Sequence, residues 1–425
     1  MVNKRETIKT YLTGKDIKES LANTPQVTFE VTDGCNLKCE YCGYGMFYDN
    51  YEKRENKNLS PERAIELLCY LAEYWNSTLN VSSQKNVYIS FYGGEPLMNM
   101  SFIQKVVDFI ENEIICPTRH FTFSMTTNAI LLDKYMDYLA EHRFSLLISL
   151  DGNEENTSYR MDHSGKPAYQ RIVKNVDKLR EKYPVFFNEH VNFNSVLHNR
   201  NSVESIYYFF KEKYNKIPSI GELNNMGIRE DRQEEFMRAY RNSYESLHQA
   251  EHYEEIERDM FTKSGSFMGL TTYLMQYSDF VYNNYNELLF GKEKMQYRII
   301  PTGTCMPFSK KIFVTVNGKI LTCERIGHQF ALGEINDKGI NIDAEKIAEK
   351  YNRYYAKLDR QCSSCYNKKA CKQCIYNLPD IDEERVVCHG YMSKKQFEEY
   401  ENSQLSYLSE NPDFYQLIMT EVIVK

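Results

Sequence analysis

The sequence has no excess of basic residues, no long apolar run and no histidine before His120. Lys and Arg number 52 against 59 Asp and Glu, a formal net charge of −7. A nucleic-acid binder would show a basic bias or stripe, and none is present. The first 18 residues are polar and charged, without the apolar stretch of a signal peptide. No apolar run approaches the ~20 residues a bilayer-spanning helix needs. These absences predict a cytoplasmic protein whose partners are neither nucleic acid nor membrane. There is also no internal repeat and no low-complexity linker. What is present is 425 residues with 42% hydrophobic content, enough for a large core in two or three domains.

Cysteine, by contrast, is abundant, at twelve residues. Disulfides are rare in the cytoplasm, so clustered cysteines there more often bind metal or do chemistry. Ten fall into two groups. Cys69 lies among apolar helical positions and Cys116 ends another such stretch, so both are expected to be core or near-core thiols.

Between residues 26 and 228, apolar or β-branched runs alternate with helical stretches. The runs are Gln26–Val31, Val87–Tyr92, Phe121–Met125, Phe144–Leu150, Val191–Leu197 and Ile217–Leu223. The helical stretches are Pro61–Trp75, Ser101–Ile114, Asp133–His142, Tyr169–Lys182 and Ser202–Tyr214, the first with Ser60 as N-cap and Pro61 at its first position. Alternating βα units predict a parallel sheet or barrel. Six units are too few to close an eight-fold barrel, so the expected fold is α/β, an open partial (β/α)6 TIM-like barrel. The expected boundaries are an extension at 1–25, the partial barrel at 26–228, a helical bridge at 229–300, a cysteine-rich domain at 301–393 and a partly helical tail at 394–425.

The first group, Cys35, Cys39 and Cys42, follows the first run with CxxxCxxC spacing. Three thiolates on a short loop can hold three irons of a 4Fe–4S cube and leave the fourth open to a ligand. A zinc knuckle is the bland alternative, and it would want a fourth Cys or His nearby. Three further motifs stand at the ends of the next three runs: Gly93-Gly94-Glu95-Pro96, Thr126-Thr127-Asn128 and Ser149-Leu150-Asp151-Gly152. Each alone reads equally well as a turn or cap. All four lie at carboxyl ends of consecutive strands, the face on which barrel enzymes build their sites.

CxxxCxYC after the first strand, with GGEP after the second, resembles the radical S-adenosylmethionine (SAM) superfamily over about residues 25–228. The resemblance implies that Cys35, Cys39 and Cys42 hold the catalytic cluster and that its open iron binds the methionine moiety of SAM. Gly93, Gly94 and Glu95 would lie against the SAM amino group, with the glycines letting the backbone approach. Ser149 and Asp151 would face ribose and carboxylate, Asn128 would stand close by, and Tyr41 and Val196 would contact adenine. The chemistry implied is one-electron cleavage of SAM to a 5′-deoxyadenosyl radical, which takes hydrogen from an unactivated carbon.

The second group is Cys305, Cys323, Cys362, Cys365, Cys371, Cys374 and Cys388. Asn317-Gly318 between strand-forming flanks reads as a hairpin turn that would bring Cys305 and Cys323 together. On spacing alone, structural zinc sites remain open. Behind such a barrel, the pattern C…Gx4C, CxxCx5CxxC, C resembles the SPASM domain, which implies two auxiliary 4Fe–4S clusters and three in all. Cys362, Cys365, Cys371 and Cys388 would hold the distal cluster. Cys305, Cys323 and Cys374 would hold the one nearer the barrel. Two residues rather than three precede Cys374, and residues 298–304 contain no cysteine. The near cluster thus has three evident thiolates, completed by another ligand or left open to a substrate thiolate. Glu324 resembles the acidic general base of related enzymes; a solvated Glu paired with Arg325 is the alternative.

SPASM enzymes mostly modify peptides, and Thr322-Cys323-Glu324-Arg325-Ile326 is similar to the cysteine-rich-repeat peptide maturases. The expected function is maturation of a ribosomally made precursor peptide, with a Cys thioether as the first choice of cross-link. About 25 residues precede the first strand, so leader recognition is expected from residues 229–300 or a separate protein. The electron donor would be a flavodoxin or ferredoxin. An anaerobic sulfatase-maturating enzyme making formylglycine is the second reading, and a non-catalytic iron–sulfur electron carrier the third.

Overall fold

The computed structural model describes residues 10–82, 86–225, 227–278, 300, 306–378 and 381–423. Strands β1 (Gln26–Thr32), β2 (Asn86–Gly93), β3 (His120–Thr127), β4 (Ser145–Ser149), β5 (Val191–Leu197) and β6 (Ser219–Glu222) pair in parallel, each with the next. The helices of this region are α1 (Gly14–Asn23), α2 (Pro61–Trp75), α3 (Met100–Asn112), α4 (Leu132–Glu141), α5 (Tyr169–Lys182), α6 (Pro184–His190) and α7 (Val203–Tyr214). Ser60 caps α2 through the Arg63 amide, and Ser202 and Ser205 form a capping box at α7.

Strand residues alternate between two faces. On one face, Phe29 and Phe91 meet Phe102 of α3 edge-on at 6.0 and 6.4 Å, and Phe193 lies 4.6 Å from Phe210 of α7. The other face carries Thr28, Glu30, Ser90, Ser124 and Ser149. There Gln26 donates to Ser90 (2.8 Å), and the Ser90 and Ser124 hydroxyls lie 2.6 Å apart. Hydrogen-bonded rows of this kind let polar side chains be buried at little cost.

The sheet does not end at β1. Strand β7 (Ile312–Val314) joins β1 in parallel, and β8 (Lys319–Leu321), β9 (Gly333–Asn336) and β10 (Gly339–Asn341) follow antiparallel, giving ten strands in the order β10-β9-β8-β7-β1-β2-β3-β4-β5-β6. The Asn317-Gly318 turn forms as expected. Gly318 has φ +85, and a Cβ there would lie 2.2 Å from the Ile335 carbonyl oxygen.

This strand addition changes the expected boundaries. Residues 14–256 and 306–347 form one compact unit, and the second is drawn from residues 1–13, 257–305 and 348–425. Residues 306–347 therefore leave the expected 301–393 domain, because β7 satisfies the open edge of β1. In the second unit, the helices Lys394–Glu410 and Asp413–Ile423 pack on Gly265–Gln276, with Phe261 and Phe414 stacked at 3.8 Å.

Two helices beside the parallel strands were not anticipated, nor was the longer helix Ala344–Ser364. The first, α1, buries Ile17, Leu21 and Ala22 within a polar extension, and α6 is seven residues long, too short for its period to stand out. The core assignment of Cys69 is also corrected, since this thiol is exposed while Cys116 is buried. Successive helix residues turn by about 100°. Leu67, Leu68 and Leu71 point inward, which swings Cys69 outward.

Candidate functional site

The first cysteine loop leaves β1 at Thr32 and is fixed by its neighbours' backbones. Gly94 N donates to Thr32 O and Glu95 N to Gly34 O, both at 2.9 Å. Lys38 N donates to Met161 O (2.7 Å) and Glu40 N to Tyr159 O (3.2 Å), binding the loop to the segment after β4. The expected motifs after β1, β2, β3 and β4 are thereby gathered in one place.

The glycines, expected to let the backbone approach a ligand, lie tight against the cysteine loop. A Cβ on Gly93, at φ +141, would sit 2.2 Å from Thr32 O, and one on Gly94 would sit 2.0 Å from Gly34 O. Both absent side chains make room for the cysteine loop itself. Gly94→Ala is expected to push that loop off β2 and to lower iron retention several-fold after reconstitution. Retention equal to wild type in an iron assay would show that the loop tolerates the shift.

Glu95, expected near the SAM amino group, is turned inward at 1% exposure. It accepts from Leu97 N (3.1 Å), Thr127 Oγ1 (2.7 Å) and Asn128 N (2.8 Å), bracing the end of β2 against β3. Burial pushes its carboxyl up to about 7 against these three donors. Asn128 in turn donates to Asn36 Oδ1 at 2.8 Å and lies 3.8 Å from Cys35 Sγ.

Asp151, expected toward ribose and carboxylate, is engaged by groups of the chain itself. It is fully buried and takes a bidentate pair from Arg160, with Nε and Nη2 both at 2.9 Å. It also accepts from the Tyr41 hydroxyl and from Val196 N, the latter at 2.9 Å. Tyr41 is held on its other sides by His198, stacked at 5.5 Å, and by Tyr159 edge-on at 6.1 Å. Burial pushes His198 down to about 4, so its ring is neutral at physiological pH. Val196 packs against the cluster that contains Tyr41 and Tyr159. Of the expected cofactor contacts with a polar side chain, Ser149 alone makes no side-chain hydrogen bond among the described residues.

Cys35, Cys39 and Cys42 are free thiols, partly exposed and close enough to perturb one another electrostatically. Burial pushes Cys35 up to about 11 and Cys39 to about 12, so they hold their protons until a metal displaces them. Asn36 Nδ2, inside the loop, is buried with no hydrogen-bond partner. His163 lies beside the loop, but its Nε2 is 2.8 Å from the Cys35 carbonyl oxygen. Among the described residues no three His, Cys, Asp or Glu side chains converge tightly enough for a single ion. Three neighbouring thiols on one short loop, with the buried Asn36 amide beside them, suit the ligand set of an iron–sulfur cube.

Of the second group, Cys305 lies outside the described residues. Cys323 stands in the first unit, pushed up to about 12 by burial and by neighbouring Glu324. Glu324 is paired with Lys311 at 2.9 Å; burial works against its ionisation, but Lys311 and the backbone outweigh it and hold the carboxyl below its usual range. A carboxylate so held is a weaker base than an unpaired one. In the second unit, Cys362 lies in the last turn of the Ala344–Ser364 helix, and Cys365, Cys371, Cys374 and Cys388 follow on short turns. Cys365 N donates to Cys362 O at 3.3 Å, and Met392 N to Cys365 Sγ at 3.4 Å. Burial raises Cys388, helped by Cys371 and Cys365 nearby, so these three thiols share one neighbourhood.

Sequence reasoning missed Arg160, His198 and Arg54. Arg54 donates to Glu30 Oε1 (3.0 Å) and Asp33 O (2.9 Å) and lies 3.9 Å over the Tyr44 ring. All three sit in polar stretches that read as solvated loop, and the burial of Arg160 and His198 arises only when the loops converge.

A family model described as the Radical SAM superfamily matches residues 29–210. The chain is 28% identical over 224 residues to the radical SAM cyclopropyl synthase TigE of Paramaledivibacter caminithermalis, covering 50% of this chain and 42% of that protein. It is 28% identical over 186 residues to a cysteine-type anaerobic sulfatase-maturating enzyme of Clostridium novyi, covering 43% and 46%. The chain thus spans less than half the length of these relatives. Among solved structures, native anSMEcpe with bound AdoMet and Cp18Cys peptide aligns with a TM-score of 0.59 at 18% identity, over 92% of this chain and 98% of that one, a likeness of fold.

Proposed function

We propose, from the match of residues 29–210 to the Radical SAM superfamily, that the chain is a radical SAM peptide maturase, which oxidises a residue of a ribosomally made precursor and closes a cross-link, a Cys thioether in the first instance. The observation that carries this reading is the loop of three free thiols, Cys35, Cys39 and Cys42, clamped by the Gly93-Gly94 turn. These thiols would hold a 4Fe–4S cluster. When bound and reduced, that cluster supplies one electron to the SAM sulfonium and so gives the 5′-deoxyadenosyl radical that takes hydrogen from carbon.

The chain's own residues position and shield. Glu95 and Asn128 fix the loop from the β3 side. Asp151 and Arg160 fix Tyr41 from the β4 side. Ser149, its hydroxyl not engaged, is left to contact the bound cofactor. Two auxiliary clusters would be held by Cys362, Cys365, Cys371 and Cys388, and by Cys305, Cys323 and Cys374. Glu324, oriented by Lys311, would take up the proton released as the peptide is oxidised. Leader recognition falls to residues 229–300 or to a separate protein. A cytoplasmic setting suits a chain whose eleven described cysteines form no disulfide with one another, and no helix among the described residues is long and apolar enough to cross a membrane.

Sulfatase maturation is the second reading, favoured by the similarity to enzymes of that name and by a carboxylate beside Cys323. The test is anaerobic reconstitution with iron and sulfide, then incubation with SAM, reductant and Cys-containing peptides encoded beside the gene. Loss of two hydrogens from the peptide together with a thiol that no longer alkylates is the expected result. The same loss with the thiols intact would replace the thioether by another cross-link. Turnover of a sulfatase-derived peptide instead would move the assignment to the second reading.

A further inference from the structure

Residues 50–57, between the first cysteine loop and α2, touch both thiol-bearing regions of the first unit. Their C-terminal half grips the first region. Glu55 N and Lys57 N donate to the two carboxylate oxygens of Asp33 at 3.0 and 2.6 Å, and Arg54 Nε donates to Asp33 O at 2.9 Å. Asp33 stands two residues before Cys35. The N-terminal half grips the second region. The Glu52 carboxylate accepts from Asn317 Nδ2 at 2.8 Å and pairs with Lys319 Nζ at 2.7 Å, and the Glu52 amide donates to His328 Nδ1 at 3.4 Å. His328 N donates in turn to Asn50 O at 3.3 Å. Lys319 lies four residues before Cys323 and His328 five residues after it. Glu52 therefore closes the base of the loop that carries Cys323 and Glu324. Between the two grips, the Tyr51 ring lies 4.7 Å from Tyr44 and 5.4 Å from His328.

The strands beside that loop do not depend on this clasp. Strand β7 pairs with β1, and β8 pairs with β7 and β9. What Glu52 adds is the placement of residues 322–328 beyond the end of β8. Arg54 extends the link, because its Nη1 donates to Glu30 Oε1 while Glu30 Oε2 accepts from Val316 N, both at 3.0 Å. A carboxylate that meets an amide, an ammonium and a ring-bound loop through charge-assisted bonds holds geometry better than a lone surface ion pair. We propose that the 50–57 strap is a positioning device, with Glu52 its central residue, that sets Cys323 and Glu324 at a fixed offset from the 35–42 cysteine loop. The proposal rests on the reading that assigns radical formation to Cys35, Cys39 and Cys42 and a second site to Cys323. A peptide must then meet both sites in one pose, and a misplacement of about 1 Å at a reacting centre costs on the order of 100-fold in rate. 5′-Deoxyadenosine released without peptide product reports a peptide that meets the first site and misses the second.

The experiment uses the full reconstituted chain with SAM, dithionite and the Cys-containing peptides of the maturation assay. The readout is peptide product formed per 5′-deoxyadenosine released. It is taken for wild type, for Glu52→Ala, for the charge swap Glu52→Lys/Lys319→Glu, and for a control, Asp137→Ala, which breaks the surface pair of Asp137 with Lys182. Glu52→Ala should lower the ratio about fivefold or more, with the KM for peptide and the rate of 5′-deoxyadenosine release within about twofold of wild type. The swap should recover about half of the lost ratio or more, and the control should match wild type. Backbone amide exchange is followed on the same proteins. Residues 322–328 should exchange about tenfold faster in Glu52→Ala, while residues 26–32 stay protected. An unchanged ratio overturns the proposal. A parallel fall of product and 5′-deoxyadenosine also overturns it, making Glu52 a stabiliser of the fold, as does a swap that recovers nothing. Absence of product from wild type with every peptide would be a failure of the functional reading. The exchange pattern then decides the clasp by itself, and equal exchange in Glu52→Ala and wild type overturns it.

Discussion

Replacing Cys35, Cys39 and Cys42 together by alanine should lower bound iron by about four atoms per chain and abolish 5′-deoxyadenosine formation, while leaving the fold intact. The three thiols are partly exposed and make few structural contacts, chiefly the Leu37 amide to Cys35 Sγ at 3.4 Å. Their removal therefore opens no large cavity, and the loop keeps its backbone ties to Thr32, Gly34, Tyr159 and Met161. Circular dichroism and melting temperature should stay near wild type, so a loss of activity would report the chemistry and not unfolding. The triple variant also separates the enzyme from the electron-carrier reading. A carrier that uses the C-terminal cysteines would keep part of its redox function. An enzyme keeps none of its SAM cleavage. Residual cleavage above about 1% of wild type would remove these three residues from the centre of the mechanism.

Much of this arrangement was legible before any coordinates. Pro61–Trp75, Tyr169–Lys182 and Val191–Leu197 come out with the limits expected from capping and periodicity, because caps and strand alternation are local signals. The motif loops were found because chemistry had marked them: three thiols at fixed spacing, two adjacent glycines, an acidic residue at a strand end. What stayed illegible was non-local. Nothing in Ile312–Val314 says that it pairs with Gln26–Thr32 across almost three hundred residues. Nothing in the Gly93-Gly94 pair says whether the space is left for a ligand or for the neighbouring loop. Asp151 is expected toward ribose and carboxylate from the resemblance alone. Its partner Arg160, nine residues on in a polar segment, turns it inward. The contrast between Glu95 and Ser149 has the same origin. Both end strands within motifs, but Glu95 meets three donors on β3 and its own turn, and Ser149 meets none.

That inward-turned pair yields the largest stability effect expected in the first unit. Asp151 is fully buried and the Arg160 side chain is 7% exposed, so neither charge can recover hydration if the other is removed. Asp151→Asn keeps the shape of the side chain but deletes the charge that faces the guanidinium, and its amide offers one acceptor oxygen where the carboxylate offers two. Arg160, the Tyr41 hydroxyl and the Val196 amide must then share that oxygen. Breaking a buried pair by losing one member costs about 3–5 kcal/mol, which for a unit of this size is a fall in melting temperature on the order of 10 °C. Tyr41 sits between Cys39 and Cys42, so the loosened ring should also slow cluster uptake in a reconstitution time course. Added salt should not restore either property, because a pair shielded from solvent is screened little by ions. The double replacement Asp151→Leu/Arg160→Met removes both charges together. It should recover part of the lost stability, since an apolar pair in the same space can match a buried ion pair, but not the iron, because Tyr41 still lacks its anchor. An Asp151→Asn protein that melts within 1 °C of wild type would mean that the pair carries no structural load, and Asp151 would return to the set of side chains available to the bound cofactor.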